Sequence, residues 1–277
     1  MIRIEKLGFS YGQVPVLKNI TMNLEPGKIY GLLGENGVGK TTLLTLLAGL
    51  KKPLQGNIDI DGSAPYSRTP QVLENQFYLA DEMLSVPMKA AEYARITGEF
   101  WPNYKQDTFE EIMELFENTS DKKMNEMSTG QLKKTYISLA LALGCKYLFL
   151  DEPTNGLDIP SKAQFRSALM KYTGEDSTIV ISTHQVRDLE NIIDPIIILD
   201  RQDVLLNASL EEISRKLYFD YGTQLHPESL YSEQLPGGFI QVYPNAEGAD
   251  SKVNIEALFN AVHHNKEFIK GLFAETL

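Results

Sequence analysis

Eight consecutive residues carry the densest chemistry in this 277-residue chain: Gly34-Glu35-Asn36-Gly37-Val38-Gly39-Lys40-Thr41. They fit G-x-x-x-x-G-K-[ST], a pattern that a chain of this length meets by chance on the order of once in a hundred at average glycine usage. Glycines at 34, 37 and 39 permit backbone angles that a Cβ would block, so successive N–H groups can converge on one anion. Lys40 adds a mobile cation for β- and γ-phosphates, and the Thr41 hydroxyl is of a type that ligates Mg²⁺. Thr41 and Thr42 open an apolar helical stretch running to Gly49. Unpaired N–H groups at its start, together with the positive end of its dipole, favour phosphate.

A second constellation follows at Tyr147-Leu148-Phe149-Leu150-Asp151-Glu152, an apolar strand ending in two carboxylates. Side chains of adjacent strand residues diverge, so the two acids are expected to do different work. Asp151 is expected to hold the Mg²⁺ shell, and Glu152 to act on an attacking water as general base or orienter. Set against a phosphate loop, these two acids are more than an ordinary charged turn.

These groups need a scaffold. Ile29 to Leu33 reads as a strand feeding the loop, preceded by the turn Glu25-Pro26-Gly27-Lys28 and by sheet-like residues from 1 onward. Asn57 to Gly62 alternates like a strand ending in a turn, and Gln76 to Ala80 is another strand candidate. From about 82 to 143 the texture is helical, with spaced apolar residues over 90–100, 108–118 and 130–143 and a break at Trp101-Pro102-Asn103. Unalternated apolar runs at 146–151, 177–182 and 195–200 suit buried parallel strands. Ser209 and Glu212 form a capping-box pattern. After 218 only turn clusters (Pro236-Gly237-Gly238, Pro244-Asn245) and one helix over 255–272 are legible.

Composition narrows the class. Apolar content of 43% and charged content of 23% are those of an ordinary globular protein. A net charge of −11 argues against nucleic acid as the main partner. Cys145, the single cysteine, lies in an apolar stretch and is expected in the core. No signal core follows Met1 and no run of 18 apolar residues occurs, so a membrane role would need another chain to do the spanning.

Further motifs make a family resemblance plain. Met127-Ser128-Thr129-Gly130-Gln131 resembles the signature sequence of ATP-binding cassette (ABC) transporter subunits, Thr154-Asn155-Gly156-Leu157-Asp158 their D-loop, Thr183-His184 their switch histidine, and Phe9-Ser10-Tyr11-Gly12 their aromatic A-loop. Order and spacing match from about residue 1 to 215. The resemblance implies an α/β fold: a P-loop NTPase (RecA-like) core with an antiparallel β subdomain and a helical insertion over about 82–143. The cassette would span 1–217, with a small C-terminal extension over 218–277.

It further implies ATP and Mg²⁺ as ligands, with Tyr11 stacking on adenine. Ser128 and Gly130 would reach the γ-phosphate held by a second subunit's P-loop in a head-to-tail homodimer or heterodimer. His184 would hold Glu152 and the water, and Asp158 would join the subunits. The partner would be a multi-span permease, placing the chain peripherally on the cytoplasmic side of the cell membrane, with export favoured.

Two positions depart from the pattern. Asp81 stands where the family has a glutamine; an aspartate can still ligate Mg²⁺ or water, though it adds negative charge, so Asp81 is expected to join Thr41 and Asp151 as a Mg²⁺ ligand, with Gln76 as the competing candidate for that position. Thr129 stands where glycine is usual, and its Cβ is expected to crowd the phosphate approach. Two alternatives to a transport motor are a soluble ABC ATPase acting on the ribosome or DNA, and a regulatory module that binds ATP without turnover. Acidity, a single cassette and the lack of a long coiled coil disfavour the first. Retention of Lys40, Asp151, Glu152 and His184 disfavours the second.

Overall fold

Two β-strands begin the chain, β1 (Ile2–Tyr11) and β2 (Val14–Leu24), and with β4 (Gln55–Ile60) they form an antiparallel sheet in the order β2-β1-β4. The computed structural model describes residues 1–274. Between β2 and β4 lie β3 (Ile29–Leu33) and α1 (Lys40–Leu47). Next come α2 (Pro70–Leu73), β5 (Gln76–Leu79), and the helices α3 (Ala90–Gly98), α4 (Gln106–Leu115) and α5 (Thr129–Ala142). The chain returns to sheet with β6 (Tyr147–Asp151), followed by α6 (Ile159–Tyr172), β7 (Thr178–Thr183), β8 (Ile196–Asp200) and β9 (Asp203–Ala208). It finishes with α7 (Leu210–Lys216), β10 (Leu217–Gly222), β11 (Tyr231–Leu235), β12 (Gly238–Pro244), α8 (Ile255–His264) and α9 (Lys266–Leu272).

The central sheet has the order β5-β6-β7-β3-β8-β9, parallel throughout except for the antiparallel edge strand β9. Its inner strands are apolar on both faces because both are covered. Along β6, Tyr147 and Phe149 enter a core shared with α1 and the antiparallel sheet, whereas Leu148 and Leu150 enter the core shared with α4, α5 and α6. Cys145 is buried in the second core, where burial pushes its thiol up to about 12, as expected of a packing residue.

Parallel register sets the position of the chemistry. Leu33 pairs with Thr183 and Asp151 with Ser182, so the carboxyl ends of β3, β6 and β7 lie side by side. In open α/β sheets ligands bind at this edge.

The helical stretch expected from about 82 begins its first helix only at Ala90, and Trp101 ends the first helical run by donating its indole N–H to Gln76 O at 3.1 Å. Three elements before residue 217 have no counterpart in the sequence reading, α2, α6 and β9. The turn into β9 is Arg201-Gln202, with φ of 39° and 82°; glycine or asparagine usually marks such a turn. The helix expected over 255–272 is broken. Asn265 leaves the helical region (φ −131°, ψ 47°) and its amide donates to Leu230 O at 2.6 Å and Ala261 O at 3.1 Å, separating α8 from α9.

Beyond 217 the weak signals resolve into an antiparallel sheet, β10-β12-β11, against which α8 packs. Its apolar residues, among them Leu217, Val242, Leu258 and Ile269, join the same buried cluster as the core sheet. Lys266 and Lys270 pair with Asp200 and Asp203 at the β8–β9 turn.

Candidate ATP site

Strand β3 delivers the phosphate loop to the active edge. Gly34 has no room for a Cβ, which would lie 2.6 Å from Leu199 O, and Gly37 and Gly39 have φ of 78° and 116°. Those three positions need glycine for packing and conformation before any ligand is considered. Glu35, Asn36 and Val38 fill the rest of the turn between β3 and α1. Lys40 opens α1 and is only 6% exposed, its ammonium donating to Gly34 O at 2.8 Å and Glu35 O at 3.2 Å. Burial lowers its pKa, and the carboxylates of Glu152 and Asp151 counteract that shift. Thr41 is exposed at the helix start, and Thr42 is buried beneath it.

Asp151 and Glu152 diverge as expected. Asp151 is buried, accepting from Ser182 Oγ at 2.5 Å and from the Tyr78 hydroxyl at 3.2 Å. Burial and then the charge of Asp151 raise the Tyr78 pKa, keeping the phenol a donor. Glu152 turns toward the P-loop. Its Oε1 lies 2.9 Å from His184 Nδ1 and 3.6 Å from Lys40 Nζ, and the His184 backbone N–H donates to Oε2 at 3.4 Å. With Nδ1 protonated, His184 donates to Glu152 and its Nε2 accepts from Gln185 Nε2 at 3.3 Å. Glu152 has φ 46°, a left-handed conformation uncommon for a non-glycine residue. It swings the carboxylate out of line with the strand, so two adjacent acids serve different partners.

The other expected residues take these places. Tyr11 is half exposed beside α1, its hydroxyl 3.3 Å from Thr42 Oγ1, its ring edge-on to Phe9 and 5.0 Å from Lys51 Nζ. Ser128 caps α5 in a complete capping box with Gln131: Oγ accepts from the Gln131 N–H at 3.2 Å, and Gln131 Oε1 accepts from the Ser128 N–H at 3.1 Å. Thr129 and Gly130 form the first turn of that helix, and a Cβ on Gly130 would meet only Gly156 O at 3.8 Å. Asp158 caps α6 through the Ser161 N–H at 3.0 Å, and hydrogen bonds from Ser161 hold its carboxyl below the usual range.

Gln76 is excluded from the site, because its side chain is buried and donates to Ala48 O at 3.0 Å. Asp81 does reach the active edge, with its carboxylate bonded to Lys133 Nζ at 2.8 Å and to Asn155 Nδ2 at 3.3 Å. Ser182, Tyr78 and Lys133 were not singled out by the sequence reading. Ser182 was detectable as a hydroxyl following the apolar run Ile179-Val180-Ile181, but Lys133 sits on the second turn of a helix with no local signal.

Among the described residues no cluster of three or more His, Cys, Asp or Glu could hold a metal by itself. Asp151 and the Thr41 hydroxyl are hard oxygen donors beside a phosphate loop. That set fits Mg²⁺, which is ordinarily held by one or two protein oxygens, water and nucleotide phosphates. A cavity of about 520 Å³ opens between the start of the P-loop, the segment 183–188 and α8. On its rim Arg187 pairs with Glu256 at 2.6 Å.

A P-loop on a parallel sheet, a buried aspartate and a carboxylate–histidine pair at the neighbouring strand ends define a P-loop ATPase. The model of the family described as ABC transporter matches residues 17–155, and the chain belongs to that family. It is 29% identical over 84% of its length to an uncharacterized ABC transporter ATP-binding protein of Methanocaldococcus jannaschii, covering 88% of that protein. It is 31% identical to the uncharacterized ABC transporter ATP-binding protein YdbJ of Bacillus subtilis, covering 76% of this chain and 70% of YdbJ. The bacitracin transport ATP-binding protein BcrA of Bacillus licheniformis is 28% identical, over 78% of this chain and 72% of BcrA. Among solved structures, an ATP-binding subunit of an ABC transporter superposes with a TM-score of 0.69 at 22% identity, covering 78% of this chain and 92% of that one. A dimeric ATP-binding cassette in a post-hydrolysis state with ADP and Pi superposes with 0.67 at 22% identity, covering 76% and 99%. These two show the fold: a P-loop core with an antiparallel β subdomain. The chain is an ATP-binding, ATP-hydrolysing cassette of the ABC transporter class.

Proposed function

We propose that this chain is the motor subunit of a transporter, working as a head-to-tail pair of cassettes that close on ATP and drive a separate membrane permease. The observation that carries the reading is the convergence of Lys40 and His184 on one oxygen of Glu152 at the P-loop. Glu152 would orient or deprotonate the attacking water, His184 would hold Glu152 and contact the γ-phosphate, and Lys40 would neutralise charge on the β- and γ-phosphates. Mg²⁺, held by Thr41 and Asp151, would supply charge stabilisation on the phosphates. Tyr11 offers a half-exposed ring for adenine.

The second subunit would contribute Ser128 and Gly130. Gly130 has room for a Cβ within its own chain, so the steric need for glycine there would come from outside it. Asp158 would lie at the same junction. Among the described residues no helix is long and apolar enough to cross a membrane, so the permease would be another chain. A groove of about 600 Å³ between β5 and α3, walled by Phe77, Phe100 and Trp101, would take a permease helix and hold the chain peripherally on the cytoplasmic side. Export is the direction favoured, on the divergent signature at Thr129, the short cassette and the C-terminal extension.

Glu152→Gln tests the catalytic assignment. The variant should bind ATP as tightly as the parent and lose at least about a hundredfold in turnover. Substantial hydrolysis would remove Glu152 from its role. Affinity purification from detergent-solubilised membranes tests the partner: a stoichiometric multi-span protein supports the motor reading, whereas recovery alone or with ribosomes counts against it.

A further inference from the structure

Lys133 lies on the second turn of α5, is 4% exposed, and belongs to none of the motifs that identify the family. An ammonium has three donors, and all three are committed here. They go to Asp81 Oδ1 at 2.8 Å, Glu152 O at 2.9 Å and Asn155 O at 3.1 Å. The acceptors come from two separate segments: the exit of β5, and the turn between β6 and α6, which supplies both carbonyls. Asn155 closes the ring by donating to Asp81 Oδ1 and Oδ2 at 3.3 and 3.4 Å.

Glu152 requires such restraint. Its left-handed backbone, φ 46°, is one that residues with a side chain rarely adopt, and it persists only where the surroundings enforce it. On one side its N–H is fixed by Ser182, to Oγ at 3.0 Å and to O at 3.2 Å. On the other side its C=O accepts from Lys133 Nζ at 2.9 Å and from the Asn155 N–H at 3.1 Å, and Lys133 is the donor that ties it to α5. Asp81 explains how a buried ammonium is tolerated at this position. A glutamine could accept a hydrogen bond but could not neutralise the charge, and an unpaired buried ammonium is costly.

We propose that Lys133 is a positioning residue for ATP hydrolysis. It aims the Glu152 carboxylate by clamping the Glu152 and Asn155 carbonyls, and Asp81 serves as its counter-ion. The proposal rests on the reading of Glu152 as the group that handles the attacking water. It also ties the signature helix to that carboxylate through one side chain, so a shift of α5 moves the Glu152 backbone directly.

Three variants of the purified chain test it, with kcat and KM for Mg-ATP, the Kd of a fluorescent ATP analogue and the thermal midpoint measured for each. Lys133→Met keeps the length of the stem and removes the donors. It should lower kcat about ten- to a hundredfold, the cost of a small misplacement of a catalytic group, with KM and analogue Kd within about threefold. Lys133→Arg should recover most of the loss. The double variant Lys133→Met with Asp81→Asn removes both charges, leaving no unpaired ion, yet should stay slow because Asn155 O loses its side-chain donor and Glu152 O keeps only the Asn155 N–H, with no tie to α5. A double variant with parental kcat would reduce Lys133 to charge balance and overturn the proposal, as would a parental kcat in Lys133→Met. Parallel falls in midpoint, analogue affinity and kcat would also overturn it, since a residue that only stabilises the fold behaves that way. Glu152→Gln run alongside separates the two readings: if it turns over ATP, the assignment of Glu152 fails, and if it is inactive while Lys133→Met is not, the positioning proposal alone fails.

Discussion

Thr129 shows how far a single residue can be judged from its neighbours. It sits exposed on the first turn of α5, between the capping Ser128 and a glycine with open space above it. Its side chain is exposed, so under the proposed pairing of two cassettes any penalty would fall on a phosphate brought in by the partner. Thr129→Gly should therefore leave the thermal midpoint of the isolated chain unchanged or slightly lower, and tighten ATP-dependent dimer closure by a few-fold, about 1 kcal/mol or less. Size-exclusion profiles with ATP in a Glu152→Gln background check this, and identical dimer fractions would count against crowding. Most site residues were legible at this scale because their chemistry is local. A P-loop must be contiguous, and a carboxylate pair must end a strand. Lys133 and Ser182 were not, because their partners lie far away in sequence and a lysine inside a helix ordinarily points at water. Asp81 was expected as a Mg²⁺ ligand; that its carboxylate instead meets the Lys133 ammonium could not be known without the course of α5.

At the scale of elements, periodicity served wherever a segment is buried on a regular face. The apolar runs at β6, β7 and β8 are buried throughout, and the strand and helix flanking the P-loop follow the pattern. It failed for short, half-exposed strands. In β11 no side chain is fully buried, so alternation carries no signal. There the turn residues were the better guide: Pro236 and Gly237 form the whole connection between β11 and β12, proline setting one φ and glycine taking 91°. What fixes this small sheet to its flanking loop is Gln241, 1% exposed, which donates to Asp220 Oδ2 at 2.9 Å and Gln224 O at 3.0 Å while accepting from the His226 N–H at 2.8 Å. Gln241→Leu strands all three partners and should cost roughly 1–3 kcal/mol. Denaturant unfolding followed by circular dichroism measures it; a loss under a few tenths of a kcal/mol would mean that water replaces the amide.

Across the whole molecule, the segment after 217 is fastened at two places that both matter to the ATP edge. Lys266 and Lys270 hold the β8–β9 turn, and Arg187, three residues beyond His184, pairs with Glu256 at the start of α8. The second fastening is exposed, 82% and 49% at the two side chains, so it is weak and screened by salt. Even a weak pair is felt at equilibrium. If nucleotide shifts the His184 segment, it must work against this pair, and by reciprocity the pair must alter nucleotide affinity by the same factor, about fivefold at most. Glu256→Ala should accordingly change ATP-analogue affinity two- to fivefold at low salt, and the difference should fade in 0.5 M NaCl as screening removes it. No change at any ionic strength would mean that the two regions move independently. With the expected change, the far end of the chain acts as a small thermodynamic spring on the His184 segment: a label placed on α8 would report whether ATP is bound, and a molecule entering the cavity beneath α8 would shift nucleotide affinity without touching the nucleotide.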